Sequence, residues 1–161
     1  VSGIPEFASL EQMQAWAHEL MASRAPDFVI GDDYLRRWYV IPRNPSANVY
    51  LHHILHSDDD RALHDHPWSN TSVLIGGRYV EHMAAPGGGE IRVTRHAGDV
   101  VTRMASDAHR LEIMPGESAI SLFITGPKVR DWGFHCPKGW VPWQEFTSPE
   151  DSSKTGKGCG E

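Results

Sequence analysis

Apolar positions along this chain change period once. Leu10, Met13, Ala17, Leu20 and Met21 recur every three or four residues, the stripe of an amphipathic helix. Ser9-Leu10-Glu11-Gln12 stands at its start as a capping box, in which the serine hydroxyl and the glutamine amide can each satisfy an orphan backbone N–H. Pro26 closes the segment, so the pattern predicts a helix over about 10–23. Beyond it, alternation with period two takes over. The runs 35–41, 48–56, 72–75, 78–83, 91–95, 99–104, 109–114 and 119–125 are short and β-rich, and Gly, Pro, Asn and Asp separate them. Ala84-Ala85-Pro86-Gly87-Gly88-Gly89 reads as a hairpin connection and Met114-Pro115-Gly116-Glu117 as a turn. Regularly spaced short strands of this kind predict an all-β double-sheet barrel of the jelly-roll form, with one N-terminal α-helix.

Three segments follow. Residues 1–25 carry the helix, residues 26–147 the barrel, and residues 148–161 a tail rich in Pro, Ser, Lys, Gly and acidic residues. That composition is too polar to bury a core, so the tail is expected to be flexible. Between Gly126-Pro127 and the tail lie Trp132, Phe134, His135, Trp140, Trp143 and Phe146, an aromatic strap expected to cover one open end of the barrel.

Composition narrows the function classes. The 161 residues fit one domain, and 15 basic against 21 acidic residues give a net charge of −6. No basic patch is long enough for nucleic acid, no apolar run is long enough to span a membrane, and no secretory leader is visible. Cys136 and Cys159 are too few for a disulfide framework, and Cys159 lies in the tail, so a reduced, cytoplasmic setting is expected. No nucleophile elbow, phosphate loop or dinucleotide fingerprint is present.

The ten histidines are the excess. His64 and His66 are two apart, so on an extended strand both rings share a face while Asp65 points the other way. With His109 they would form a set of three neutral nitrogen donors that leaves coordination positions open, suited to iron, copper, nickel or zinc. The plainer alternative is a chance pair on a surface strand. In the run 48–56, His52 and His56 share one face, while His53 shares the other with Val49, Leu51 and Leu55; alternation does not say which face is inside.

The surroundings of these histidines carry a resemblance. Residues 58–77 (DDDRALHDHPWSNTSVLIGG) and 98–113 (GDVVTRMASDAHRLEI) resemble the two motifs of the cupin superfamily, over a span of about 48–125. His64, His66 and Gly77 stand at first-motif positions, with Asn70 where the motif has glutamate. Gly98 and His109 stand at second-motif positions, with Met104 and Ser106 replacing a proline and a glycine. The resemblance implies a cupin-type double-stranded β-helix with a divalent metal on His64, His66 and His109. Fe(2+) is the expected ion, with Ni, Zn, Cu or Mn as alternatives. An amide is a poor transition-metal ligand, so Asn70 is expected outside the coordination set. A three-imidazole centre retains its full cationic charge and resembles the iron sites of cupin thiol dioxygenases and diketone-cleaving dioxygenases.

The implied function is a non-haem iron dioxygenase acting on a small, anionic, chelating molecule. The alternatives are a non-catalytic metal- or ligand-binding module and a metal-assisted isomerase. Arg103 is the expected partner of the substrate anion; Arg110, adjacent to His109, should face away from it. His53, Trp68, Trp132 and His135 are candidates for the pocket or for support of the ligands. Cupin edges commonly pair between subunits, which implies a homodimer.

Overall fold

The computed structural model describes residues 3–58 and 62–160. Asp59, Asp60 and Arg61, inside the first histidine motif's segment, lie outside the described residues. Helix α1 spans Leu10–Ser23. Ser9 caps it by accepting from the Gln12 N–H at 3.2 Å, while the Gln12 amide accepts from Ala8 N–H at 2.9 Å, one residue earlier than the capping-box pattern places it.

Eleven strands follow among the described residues: β1 Phe28–Ile30, β2 Leu35–Tyr39, β3 Asn48–Ile54, β4 Leu63–His64, β5 Asn70–Ala84, β6 Glu90–His96, β7 Val100–Arg103, β8 His109–Glu112, β9 Ala119–Thr125, β10 Gly133–Cys136 and β11 Gly139–Pro142. A short helix, α2, covers Trp143–Phe146. All pairings are antiparallel. One layer runs β1-β2-β3-β9-β5 with β7 also on β5; the other runs β5-β8-β4-β10-β11 with β6 also on β5. This is the expected double-sheet barrel.

The runs at 72–75 and 78–83 are one strand in the structure. Its first half pairs with β9 and β7 and its second with β8 and β6, so β5 belongs to both layers. A register shift between Leu74 and Gly76 turns the corner. Gly77 takes φ +69°, and a Cβ there would stand 1.9 Å from the Ser118 carbonyl oxygen, so only glycine fits.

Strand β3 is buried on both faces, from Val49 and Leu51 at 0% exposure to His52 at 5%. Its odd positions Val49 and Leu51 pack under α1, where with Ile120 and Leu122 of the neighbouring β9 they meet Ala17, and Met13, Trp16 and Leu20 lie against them. Its even positions therefore face the barrel interior, where Leu35, Ile54, Leu74 and Tyr79 cluster with Ile113 and Ala119. This settles the open question of the 48–56 run. His52 is inside; His53 faces outward and bonds Ser118 Oγ at 3.2 Å.

The C-terminal region departs from expectation. Hairpin β10–β11 adds to β4, and Phe134 and Phe146 stack with ring centres 3.6 Å apart beside Ala62. The tail is not loose. Cys136 and Cys159 form a disulfide, Thr147 bridges Thr155, and Gly156 and Gly158 both donate to Phe146 carbonyl oxygen. Composition missed this because the tail is held by backbone hydrogen bonds and one covalent link, not by apolar burial. No helix among the described residues is long and apolar enough to cross a membrane.

Candidate metal centre

His64 in β4 lies directly opposite His109 in β8, and His66 follows where the chain leaves β4, its N–H bonded to Ala105 carbonyl oxygen at 3.0 Å. The ring centres form a nearly equilateral triangle: 5.2 Å for His64–His66, 5.0 Å for His64–His109 and 5.0 Å for His66–His109. One nitrogen from each ring lies within 4.8 Å of the other two. The sequence spacing and the cross-strand register thus bring all three predicted ligands together.

Asp65 points the opposite way, as period two requires. It is 1% exposed, and its carboxylate accepts from Gly133 N–H at 2.8 Å, His135 at 3.0 Å, Trp140 Nε1 at 2.9 Å and Arg130 at 2.9 Å. Burial alone would raise its pKa, but Arg130 and the other donors outweigh that and hold it below the usual carboxylate range. The residue between the histidines therefore pins the aromatic strap to the strand that carries them.

Protonation suits metal ligation. Burial pushes the His64 imidazole down to about 4, against the opposing pull of Asp58. Burial, reinforced by the neighbouring His64 and His109, pushes His66 well below the ordinary histidine range. Both rings are thus neutral donors at pH 7. Their Nδ1 atoms are buried without a hydrogen-bond partner. His109 donates Nδ1–H to Glu81 Oε1 at 2.7 Å, which leaves Nε2 as its lone-pair nitrogen. An orphaned pair of buried imidazoles beside a carboxylate-oriented third fits a divalent ion with open coordination positions.

Glu81 was not foreseen. It is fully buried on β5 and takes Arg103 Nε at 2.7 Å and Arg95 Nε at 2.9 Å in addition to His109. Burial raises its pKa, but the His109 hydrogen bond and the Arg103 charge outweigh it and bring the carboxyl down to about 2. Arg103 is 5% exposed, donates to Ser72 Oγ at 3.0 Å and to Asn70 Oδ1 at 3.4 Å, and is absent from the cavity wall. The expectation that it faces a substrate anion is corrected: Glu81 takes its charge. Asn70 is 2% exposed, with its Oδ1 turned toward Arg103.

The histidines open onto a cavity of about 390 Å³, a size that holds a small organic molecule. Trp68 stacks on His66 with ring centres 5.3 Å apart, and Trp132 stands 6.5 Å from His64; both line this cavity. His135, its side chain 45% exposed, is spent on Asp65 and lies outside it, and His53 faces the other side of β3. Arg37 and His52, neither foreseen as pocket residues, do line it, as do Ser152 to Thr155 of the tail. Arg37 and His52 are cross-strand partners, a register that appears only once β2 and β3 are paired.

No family profile matches the chain, and no curated protein does. Solved structures do. HppE in its Fe(II) form superposes with a TM-score of 0.53 at 14% identity, over 64% of this chain and 56% of HppE, so the match spans little more than half of that protein. An uncharacterised double-stranded β-helix protein from Klebsiella pneumoniae gives 0.50 at 17% identity, over 81% of this chain and 97% of the other. Oxalate decarboxylase from Bacillus subtilis, described with Mn(II) centres, gives 0.50 at 18% identity, over 70% and 30%. Such identities speak for the fold alone. Strand order, register and these superpositions agree: the chain has the double-stranded β-helix fold of the cupins, with three histidines converging inside it.

Proposed function

We propose that the protein is a metal-dependent cupin enzyme, a non-haem Fe(II) dioxygenase acting on a small, anionic, chelating molecule. The observation that carries this reading is the set of three converging imidazoles, with no carboxylate among them in the described residues, at the wall of a cavity of about 390 Å³. His64, His66 and His109 would hold the ion, and iron there would supply oxygen activation. The chain's own residues do the rest. Glu81 holds His109 in one tautomer, and Arg103 and Arg95 keep Glu81 ionised. Trp68, Trp132 and Phe123 supply apolar walls that exclude water from the bound molecule. Because the donor set adds no negative charge, a chelating anion is the ligand that best balances a divalent ion there.

Anaerobic reconstitution with Fe(II), followed by oxygen-uptake measurements against thiols, diketones and small carboxylates, tests the proposal. Uptake that needs both iron and His64 supports it. Tight ligand binding without uptake or product would make the protein a binding module, and turnover without oxygen a metal-assisted isomerase. A homodimer and a cytoplasmic location complete the proposal. Light scattering reads the first; thiol labelling in fresh lysate reads the second, since the Cys136–Cys159 bridge runs against a reduced setting: a reducing compartment would keep both residues as labelled thiols, and an oxidising one would keep the bridge.

A further inference from the structure

Among the described residues two cationic side chains, Arg37 and Lys154, line the cavity, and they differ in one respect. Lys154 is half exposed and ion-paired to Asp32 at 3.0 Å. Arg37 is partly buried and has no carboxylate within ion-pair distance among the described residues. Burial drives its pKa down, the mark of a charge held away from both water and a counter-charge. It is nevertheless firmly positioned. Its Nε donates to His52 Nε2 at 2.9 Å, and its guanidinium carbon sits 4.5 Å above the Tyr50 ring centre. His52 is 5% exposed, and burial, with the Arg37 charge, keeps it neutral, so it can accept that hydrogen bond. A desolvated guanidinium fixed through Nε presents its terminal N–H groups as a fork that matches a carboxylate.

Its position relative to the histidines matters as much as its charge. A single ring, Phe123, stands between His52, 5.0 Å away centre to centre, and His66, 6.2 Å away. Trp68 packs on the same ring at 5.6 Å. The metal-ligating set and Arg37 therefore share one cavity, with an aromatic wall between them.

The geometry points to Arg37, positioned by His52, as the receptor for a carboxylate on the substrate, with the opposite end of the same molecule at His64, His66 and His109. The substrate class is thus a small organic acid with a metal-binding group at one end and a carboxylate at the other. This rests on the reading of a metal-chelating substrate given above. An inorganic anion would leave the aromatic wall and most of the cavity unused.

The probes are the monohydroxamates of succinic, glutaric and adipic acids and their methyl esters. They share a metal-binding end and differ in carboxylate charge and in length. Calorimetric titrations are run on the metal-free and Ni(II)-loaded full chain, for wild type, Arg37→Met and Arg37→Lys. Met keeps the stem over Tyr50 without the charge. The expected result is that one chain length binds wild type roughly tenfold or more tightly as acid than as ester. That ratio should fall to near one in Arg37→Met and partly return in Arg37→Lys, with nickel stoichiometry unchanged in both. A ratio that survives in Arg37→Met, or that is absent in wild type at every length, overturns the assignment. If Arg37→Met does not fold, Arg37→Lys decides by a reduced ratio against an unchanged one. Failure of the metal reading looks different: nickel does not bind wild type, while the acid-to-ester ratio of the metal-free protein still reports on Arg37.

Discussion

Arg103 and Arg37 both lie close to histidines, and their surroundings set them apart. Arg103 is buried against Glu81, which also holds His109, so charge, counter-charge and imidazole close into one ion-paired unit. Arg37 has a histidine and an aromatic face but no described carboxylate, and it looks into the cavity. The first is a supporting strut whose charge is neutralised within the fold. The second is a charge the fold has left for something else. What an arginine does here follows from whether a carboxylate reaches it.

Removing the counter-charge breaks the contrast most sharply. Glu81→Ala leaves Arg103 buried and unpaired and His109 Nδ1 without its acceptor, so urea unfolding should show a loss of about 3–5 kcal/mol. The milder Glu81→Gln should weaken metal binding by about 10- to 100-fold, measured by competition with a chromophoric chelator. Unchanged stability and affinity in both variants would mean that Arg103 is as unpaired as Arg37.

The strap comes next. Cys136 and Cys159 are separated by 23 residues, and replacing both by Ser should lower stability by about 3 kcal/mol on the chain-entropy account. Metal stoichiometry should be unchanged, because none of the three histidines is in the strap or tail. Loss of metal in that variant would show that the two regions are coupled.

Gly77→Ala tests the corner in β5 that lets one strand carry Ser72 in one layer and Glu81 in the other. A Cβ meeting the Ser118 carbonyl at 1.9 Å, at φ +69°, should cost about 1–3 kcal/mol. The thermal midpoint reads it, and an unaltered midpoint would mean the corner relaxes freely.

The smallest effect is the one that sharpens the comparison. Arg37→Met should change stability by less than about 1 kcal/mol, since it breaks no ion pair with a described carboxylate. A drop as large as that of Glu81→Ala would make Arg37 a structural residue and end its role as a receptor.

Much of the molecule was legible along the chain because it depends on local order. The spacing of Leu10, Met13, Ala17 and Leu20 defines α1, and the serine before it supplies the cap. Turn residues every few positions mark out strands, and His64 with His66 at period two, together with His109 at motif spacing, marks the centre. Period two also separates Asp65 from its neighbours, though nothing local says that its carboxylate would collect Arg130, His135 and Trp140.

By itself the sequence determined the element types, the barrel class and the three converging histidines, since each rests on periodicity or on a short motif. Only the tertiary structure decided that β5 is one strand in two layers and that His52, not His53, faces inward. It also decided that the tail returns to the body through Cys159, and that Glu81 takes Arg103 while Arg37 stays without a described carboxylate. The reason is physical. Which face of a strand is inside depends on what covers the other face, here α1. Which charge is neutralised depends on side chains 22 residues apart along the chain that meet across β5 and β7.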